Sequence, residues 1–353
     1  MSETRELMRR CLDLAARARG RTSPNPMVGA LIVKDGQVLA EGWHRAPGLA
    51  HAEVDALRQL GGQAPGATMV VNLEPCCHHG RTPPCTDAIL RSGIRRVIVG
   101  MVDPFPRVSG EGLRILREAG VEVVEGVERE ACRELNLGFV RAMERGRPAV
   151  HLKAGISLDG RIADHRGRSR WITSPQARRQ AHQLRDACDA VLVGVGTLLA
   201  DDPSLTTRAI EGGRDALPVV LDSGLRTPVG SRLLQGSRRP LLICAEDAPQ
   251  VDLPADILRL PGGPGDLRAV LAALLQRGVH NLLVEGGGAV HRSFLQAGLV
   301  DRLHLFLAPL ALAEGPGWLG GPGLDLDRAP RFALRSSEPA GPDLHLVYEP
   351  AEA

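Results

Sequence analysis

His51, Cys76 and Cys85 are three good zinc ligands, and Glu53 stands two positions past the histidine in His51-Ala52-Glu53. Zinc favours imidazole and thiolate, and a catalytic zinc keeps one coordination position open. One neutral and two anionic ligands leave the ion nearly charge-neutral, yet it still acidifies a bound water toward neutral pH. The expected chemistry is hydrolytic deamination of an amino-substituted base by a zinc-held hydroxide. Glu53 would take the proton from water and deliver it to the departing amine.

His-x-Glu alone is common and usually solvated, so the weight lies in its combination with Pro75-Cys76 and Cys85. Together they approach the signature of zinc deaminases, with one departure. That signature spaces its cysteines Cys-x-x-Cys, whereas here eight residues, CHHGRTPP, separate Cys76 from Cys85. The insert must loop out and return the second thiolate. Cys76 is preferred to Cys77 because it directly follows Pro75, although sequence does not separate the two rigorously. A purely structural zinc site would need a fourth protein ligand, for which Cys77, His78 and His79 are candidates.

These residues need elements to hold them. Apolar positions at helical spacing predict a helix over residues 5–19, and residues 23–26 (SPNP) read as a turn. Residues 28–33 and 37–41 read as strands joined by the hairpin turn Asp35-Gly36. A helix is expected from about His51 to Leu60, so the histidine opens it. Residues 68–73 read as a buried strand running into Glu74-Pro75-Cys76, and residues 86–92 as a short helix behind Cys85. A helix N-terminus favours a thiolate through its exposed N–H groups and dipole. Residues 96–101, 111–119 and 121–125 continue as strand, helix and strand, which indicates a layered α/β domain.

The charged stretch 141–148 (RAMERGRP) suggests a boundary, with domains over residues 1–146 and 147–353. A new cycle opens with a strand at 149–154. Ser174-Pro175 reads as an N-cap and first-turn proline of a helix running to about Ala187. Strands are expected at 190–195, 218–221, 241–245, 281–285, 301–308 and 343–348, and helices at 267–277 and 289–297.

Catalysis is less legible in this second half. Gly194-Val195-Gly196-Thr197 is only a fragment of a dinucleotide fingerprint, so an ordinary Rossmann fold is disfavoured. Glu285-Gly286-Gly287-Gly288 lies between a strand and a helix and can present backbone N–H groups to a phosphate. Without a ligand it is simply a tight turn. Arg185 and Arg208 can hold a phosphate bidentately, although arginine on a helix is usually solvated. Lys153 sits on the opening strand and can face a pocket.

Composition narrows the alternatives. The 353 residues carry 43% hydrophobic and 24% charged side chains, with 41 Gly and 26 Pro spread through apolar segments. That describes a globular chain with many turns. A net charge of +2 and 3% aromatics argue against a nucleic-acid partner. No run approaches the length needed to cross a membrane. Seven cysteines without a secretory signal point to free thiols or metal ligands and to the cytoplasm. A homo-oligomer is the expected assembly.

The segments NPMVGALIVKDG, HAEV, NLEPCCHHGRTPPC, ITSPQARR, LADDPSL and VEGGG occur in that order. In this the chain resembles the bifunctional riboflavin-biosynthesis deaminase/reductases over nearly its whole length, and the long Cys76–Cys85 loop is itself a mark of that family. The resemblance implies a cytidine-deaminase-like three-layer first domain and a dihydrofolate-reductase-like second domain. The first would convert 2,5-diamino-6-ribosylamino-4(3H)-pyrimidinone 5′-phosphate to 5-amino-6-ribosylaminouracil 5′-phosphate. The second would use NADPH to reduce ribosyl to ribityl. The zinc-dependent hydrolase half would use His51, Cys76 and Cys85 as ligands, Glu53 as proton carrier, and Asn25 as a substrate contact or merely a turn former. In the oxidoreductase half, Gly155, Trp171, Thr197, Asp201, Ser223, Gly287, Gly288, Ala289, Val290, His291, Arg292 and Ser293 match the NADPH site. Ser169, Arg185, Leu205, Arg208 and Glu285 match the substrate site. The competing readings are an RNA-base deaminase with an accessory domain and an inactive zinc-stabilised binding module.

Overall fold

The computed structural model describes residues 2–78, 83–106 and 108–351. The chain divides into two compact units, Met1–Arg147 and Pro148–Ala353.

The first unit runs α1 (Ser2–Ala16), β1 (Gly29–Lys34), β2 (Gln37–Trp43), α2 (Ala52–Arg58), β3 (Thr68–Leu73), α3 (Cys85–Ser92), β4 (Arg96–Met101), α4 (Glu111–Glu118), β5 (Glu122–Glu125), α5 (Arg129–Leu135) and α6 (Leu137–Arg145). Its sheet has the order β2-β1-β3-β4-β5. β1 is antiparallel to β2 and β3, while β3, β4 and β5 are parallel. Successive side chains of β3 go to opposite faces, as strand geometry requires. Met69 and Val71 join Ala56, Ile89 and Leu113 beneath α2, α3 and α4. Val70 joins Met8, Cys132 and Val140 beneath α1, α5 and α6. The result is the expected three layers.

The second unit runs β6 (Ala149–Ile156), α7 (Pro175–Ala187), β7 (Ala190–Gly194), α8 (Val195–Asp201), β8 (Leu217–Leu221), β9 (Leu241–Ala245), β10 (Asp256–Leu260), α9 (Leu267–Gln276), β11 (Asn281–Val284), α10 (Gly288–Gln296), β12 (Arg302–Leu307), β13 (Phe332–Ala340) and β14 (Asp343–Pro350). Its nine strands have the order β10-β9-β8-β7-β11-β6-β12-β14-β13. The first seven of these are mutually parallel, and β14 and β13 add antiparallel pairs. Leu192 and Val284 pack with Leu271 and Phe294 of α9 and α10, whereas Val191 and Leu283 pack with Leu198 of α8.

Three differences from the sequence reading stand out. Residues 141–145, part of the charged stretch read as a boundary, complete helix α6; their charges alternate with a buried stripe that includes Val140 and Ala142. β10 has no fully buried residue, so it carries little of the apolar run that marks a strand. β13 is exposed along most of its length.

Candidate active sites

His51 caps α2 in an extended conformation, and Glu53 and Asp55 sit in the first turn, where acidic groups complement the helix dipole. The helix lies hard against the sheet because position 42 is glycine: a Cβ there would meet Ala52 O at 2.3 Å and Ala56 N at 2.5 Å. β3 delivers Cys76, and α3 opens on Cys85, whose backbone N–H donates to Cys76 Sγ at 3.3 Å. His51 Nδ1 lies 3.3 Å from Cys85 Sγ and 3.5 Å from Cys76 Sγ. The three ligand atoms all fall within 4.8 Å of one another. Cys77 is not part of this cluster, and His79 lies outside the described residues.

The donor set suits Zn2+. The Cys85 thiol donates to Cys76 and, with the contact to His51, holds Cys76 well below an ordinary thiol, at about 4. The same sulfur–sulfur hydrogen bond and then burial push Cys85 up. Two sulfurs thus share one proton, which is the place a divalent cation takes. Burial, reinforced by the negative charge of Cys76, raises Glu53 to about 7. His51, Glu53 and Cys76 line a cavity of about 590 Å³ together with Asn25, His44, His78, Asp103 and Phe105, while Cys85 is fully buried beside them.

Several residues that hold this cavity were not legible as functional. His44 Nδ1 lies 3.0 Å from Ala50 O, a contact that needs the proton on Nδ1. His44 Nε2 is then the acceptor for Asn25 Nδ2, at 3.0 Å. Asn136 and Asn72 donate to Met27 O, which fixes the turn bearing Asn25. Glu74 Oε2 accepts from Asp103 N and Gly110 N, and Oε1 from Gly112 N and Leu113 N, at 2.9–3.3 Å. Asp103 is raised to about 7, chiefly by burial. The sequence signal was present in LEP and VDPFP, but a carboxylate that binds only backbone has no partner type to search for.

In the second unit the carboxyl ends of β6, β7 and β11 frame another cavity of about 550 Å³, the usual place for a ligand on a parallel sheet. Gly155, Trp171, Thr197, Asp201, Gly287 and His291 line it, as do Ser169, Arg185, Leu205, Arg208, Glu285 and Lys153. Ser223, Gly288, Ala289, Val290, Arg292 and Ser293 are not among the lining residues. Ser223 follows β8 with its side chain exposed. Arg292 Nη1 donates to Gly320 O, and Ser293 Oγ to Ala289 O.

The floor is an ion cluster. Arg185 Nε and Nη2 donate to the two oxygens of Glu285 at 2.6 and 3.0 Å, and Arg185 Nη1 donates to Thr206 O at 2.9 Å. Lys153 Nζ lies 3.7 Å from Glu285 Oε2. Burial opposes the Glu285 charge, but Arg185 and Lys153 prevail and hold it at about 2. Lys153 itself is lowered by burial. Gly287 N donates to Thr197 Oγ1 at 2.9 Å, and no side chain caps α10. Its first N–H groups therefore suit a nucleotide phosphate. A side chain at position 288 would meet Gly320 N at 2.5 Å, so only glycine admits this turn. The cradle fits NADPH.

Residues 1–101 match the family described as the cytidine and deoxycytidylate deaminase zinc-binding region, and residues 148–346 match the RibD C-terminal domain. Riboflavin biosynthesis protein RibD of Escherichia coli (strain K12) is 42% identical over 359 residues, covering 96% of this chain and 98% of that protein. Its Aquifex aeolicus (strain VF5) counterpart is 40% identical over 348 residues, covering 97% of both. A crystal structure from Thermotoga maritima superposes with a TM-score of 0.92 at 36% identity and covers 99% of each chain. It is described as a diaminohydroxyphosphoribosylaminopyrimidine deaminase/5-amino-6-(5-phosphoribosylamino)uracil reductase. Acinetobacter baumannii RibD, in one crystal form, gives 0.91 at 36% identity over 99% of each chain. With a zinc donor set in one unit and a dinucleotide cradle in the other, the chain belongs to the RibD family of bifunctional riboflavin-biosynthesis deaminase/reductases.

Proposed function

We propose that the chain deaminates 2,5-diamino-6-ribosylamino-4(3H)-pyrimidinone 5′-phosphate to 5-amino-6-ribosylaminouracil 5′-phosphate and then reduces the ribosyl group to ribityl. The observation that carries this reading is one chain with two unlike cavities. One is lined by His51, Cys76 and a buried Glu53, with Cys85 beside them; the other is lined by Lys153, Glu285 and Arg185 beside a glycine turn.

In the first cavity His51, Cys76 and Cys85 hold Zn2+, which when bound acidifies a water molecule. Glu53, with its carboxyl raised to about 7 by burial, takes a proton near neutral pH and returns it to the amino nitrogen. The carbon–nitrogen bond breaks, ammonia leaves, and the oxygen stays as the new carbonyl. Asn25 keeps its amide oxygen for the substrate, since its nitrogen is engaged by His44. Asp103 offers a carboxyl to the amino groups of the base.

In the second cavity Gly155, Trp171, Thr197, Asp201 and the turn from Gly287 hold NADPH, which supplies the hydride. The family resemblance adds Ser223, residues 288–290, Arg292 and Ser293 to that cradle. Ser169, Leu205 and Arg208 face the nucleotide. Reduction opens the ribose ring and leaves its oxygen to be protonated. Lys153 holds a proton at Nζ, and Glu285 keeps the ammonium in place at 3.7 Å. A cytoplasmic location is part of this reading, supported by seven free cysteines.

Purified protein given the diamino nucleotide should release one equivalent of ammonia, and added NADPH should then be oxidised with formation of the ribityl product. Ammonia release with no NADPH consumption would remove the second activity.

A further inference from the structure

Arg185 is the obvious receptor for the substrate phosphate, yet its guanidinium edge is taken by Glu285 and Thr206. A phosphate monoester brings nearly two negative charges into the reductase cavity. The cations able to meet them must be ones without a carboxylate partner.

Arg208 and Arg232 satisfy that condition, whereas Arg170 and Arg178, which also line the cavity without a carboxylate partner among the described residues, already donate to the carbonyls of Asp201 and Thr173. Arg208 and Arg232 both line the cavity, both are exposed, and no carboxylate lies within ion-pair distance of either among the described residues. They crowd one another: after burial, the charges of Arg185, Arg232 and Arg170 are what lower Arg208. Like charges gathered in this way are completed by an anion.

Arg232 is also held from behind. It begins a short 3-10 turn, Arg232–Gln235, whose Leu233 and Leu234 are buried. The Arg232 backbone N–H donates to Asp202 Oδ1 at 2.9 Å. Asp202 ends α8 in a left-handed conformation with φ 40°. Asp201 sits in the cavity wall, where its Oδ1 accepts from Ser169 Oγ at 3.2 Å. The two neighbouring aspartates therefore face different tasks.

We propose that Arg232 joins Arg208 in clamping the substrate's 5′-phosphate, and that Asp202 is the positioning residue that presents Arg232. This rests on the reductase reading above and names residues of its phosphate subsite. Arg185 then orders Glu285 and Lys153 instead of binding the phosphate charge.

The test compares full-length wild type with Arg232→Gln, Arg232→Lys, Asp202→Ala and Asp202→Asn. Each is given the deaminated nucleotide and, separately, its dephosphorylated riboside with NADPH. For Arg232→Gln the preference for nucleotide over riboside, as a ratio of kcat/KM, should fall about tenfold to a hundredfold, mainly through KM. Arg232→Lys should keep part of that preference. Asp202→Ala should lose some of it, and Asp202→Asn, which retains an acceptor oxygen, should restore it. An unchanged ratio in Arg232→Gln overturns the proposal. So does a weakened NADPH Kd, read from nicotinamide fluorescence, without a change in the ratio, because the arginine would then serve the cofactor. A wild type that oxidises no NADPH with either substrate sinks the reductase reading itself, which is a different failure.

Discussion

Two buried glutamates are driven in opposite directions by their surroundings. Glu53 meets burial and the negative Cys76, and its carboxyl rises to about 7. Glu285 is equally enclosed but faces Arg185 and Lys153, and it stays near 2. The first suits proton transfer and the second suits a fixed charge. Glu53→Ala should therefore lower deamination by about two to four orders of magnitude, with zinc content by elemental analysis unchanged because the ligands remain. Unchanged turnover would end the proton-carrier role. Glu285 bears on stability. Its carboxyl is depressed from 4.5 to about 2, so its contribution is complete above 4.5 and is lost as pH falls through 2. Glu285→Gln leaves Arg185 with its charge unmatched and should destabilise the reductase unit by about 3 kcal/mol at neutral pH. The variant should also lose the share of the wild type's sensitivity between pH 4.5 and 2 that Glu285 contributes. Urea titrations across that range check both statements.

Elements place these residues, and one side chain ties two elements of the deaminase unit together. Glu74 leaves β3 just before Cys76 and accepts from four backbone N–H groups at and before the start of α4. It therefore ties the ligand-bearing turn to the segment with Asp103. Glu74→Ala strands buried donors and should cost about 2 kcal/mol or more. It should also raise KM for deamination while zinc stays bound; a variant with wild-type Tm and KM would contradict the link. The same example shows what sequence discloses. His51, Cys76 and Cys85 were legible because zinc admits few ligand types. Ser174-Pro175 was legible because an N-cap has a local signature, and Ser174 does accept from Ala177 N. Glu74 was not, because its partners are backbone N–H groups that any residue supplies. α6 was not read as a helix, because its charged residues hid a helical stripe. The pairing of Arg185 with Glu285 was not legible, because the partner lies 100 positions away.

At the scale of the molecule, each unit has its own apolar clusters, on both faces of its own sheet. Each also has its own ligand, so ligand linkage should act on one unit at a time. A ligand that binds only the folded state stabilises it by about 2.7 kcal/mol at a hundred times its Kd. Chelation removes such a contribution from the unit of residues 1–147 and leaves Cys76 and Cys85 sharing a proton. Calorimetry of the full chain should then show one transition falling after chelation and the other rising with NADPH. Ammonia release should stop under chelation, while NADPH oxidation continues when the already deaminated nucleotide is supplied. A chelator that stops both activities, or that moves both transitions together, would mean that folding or catalysis in one unit depends on the other.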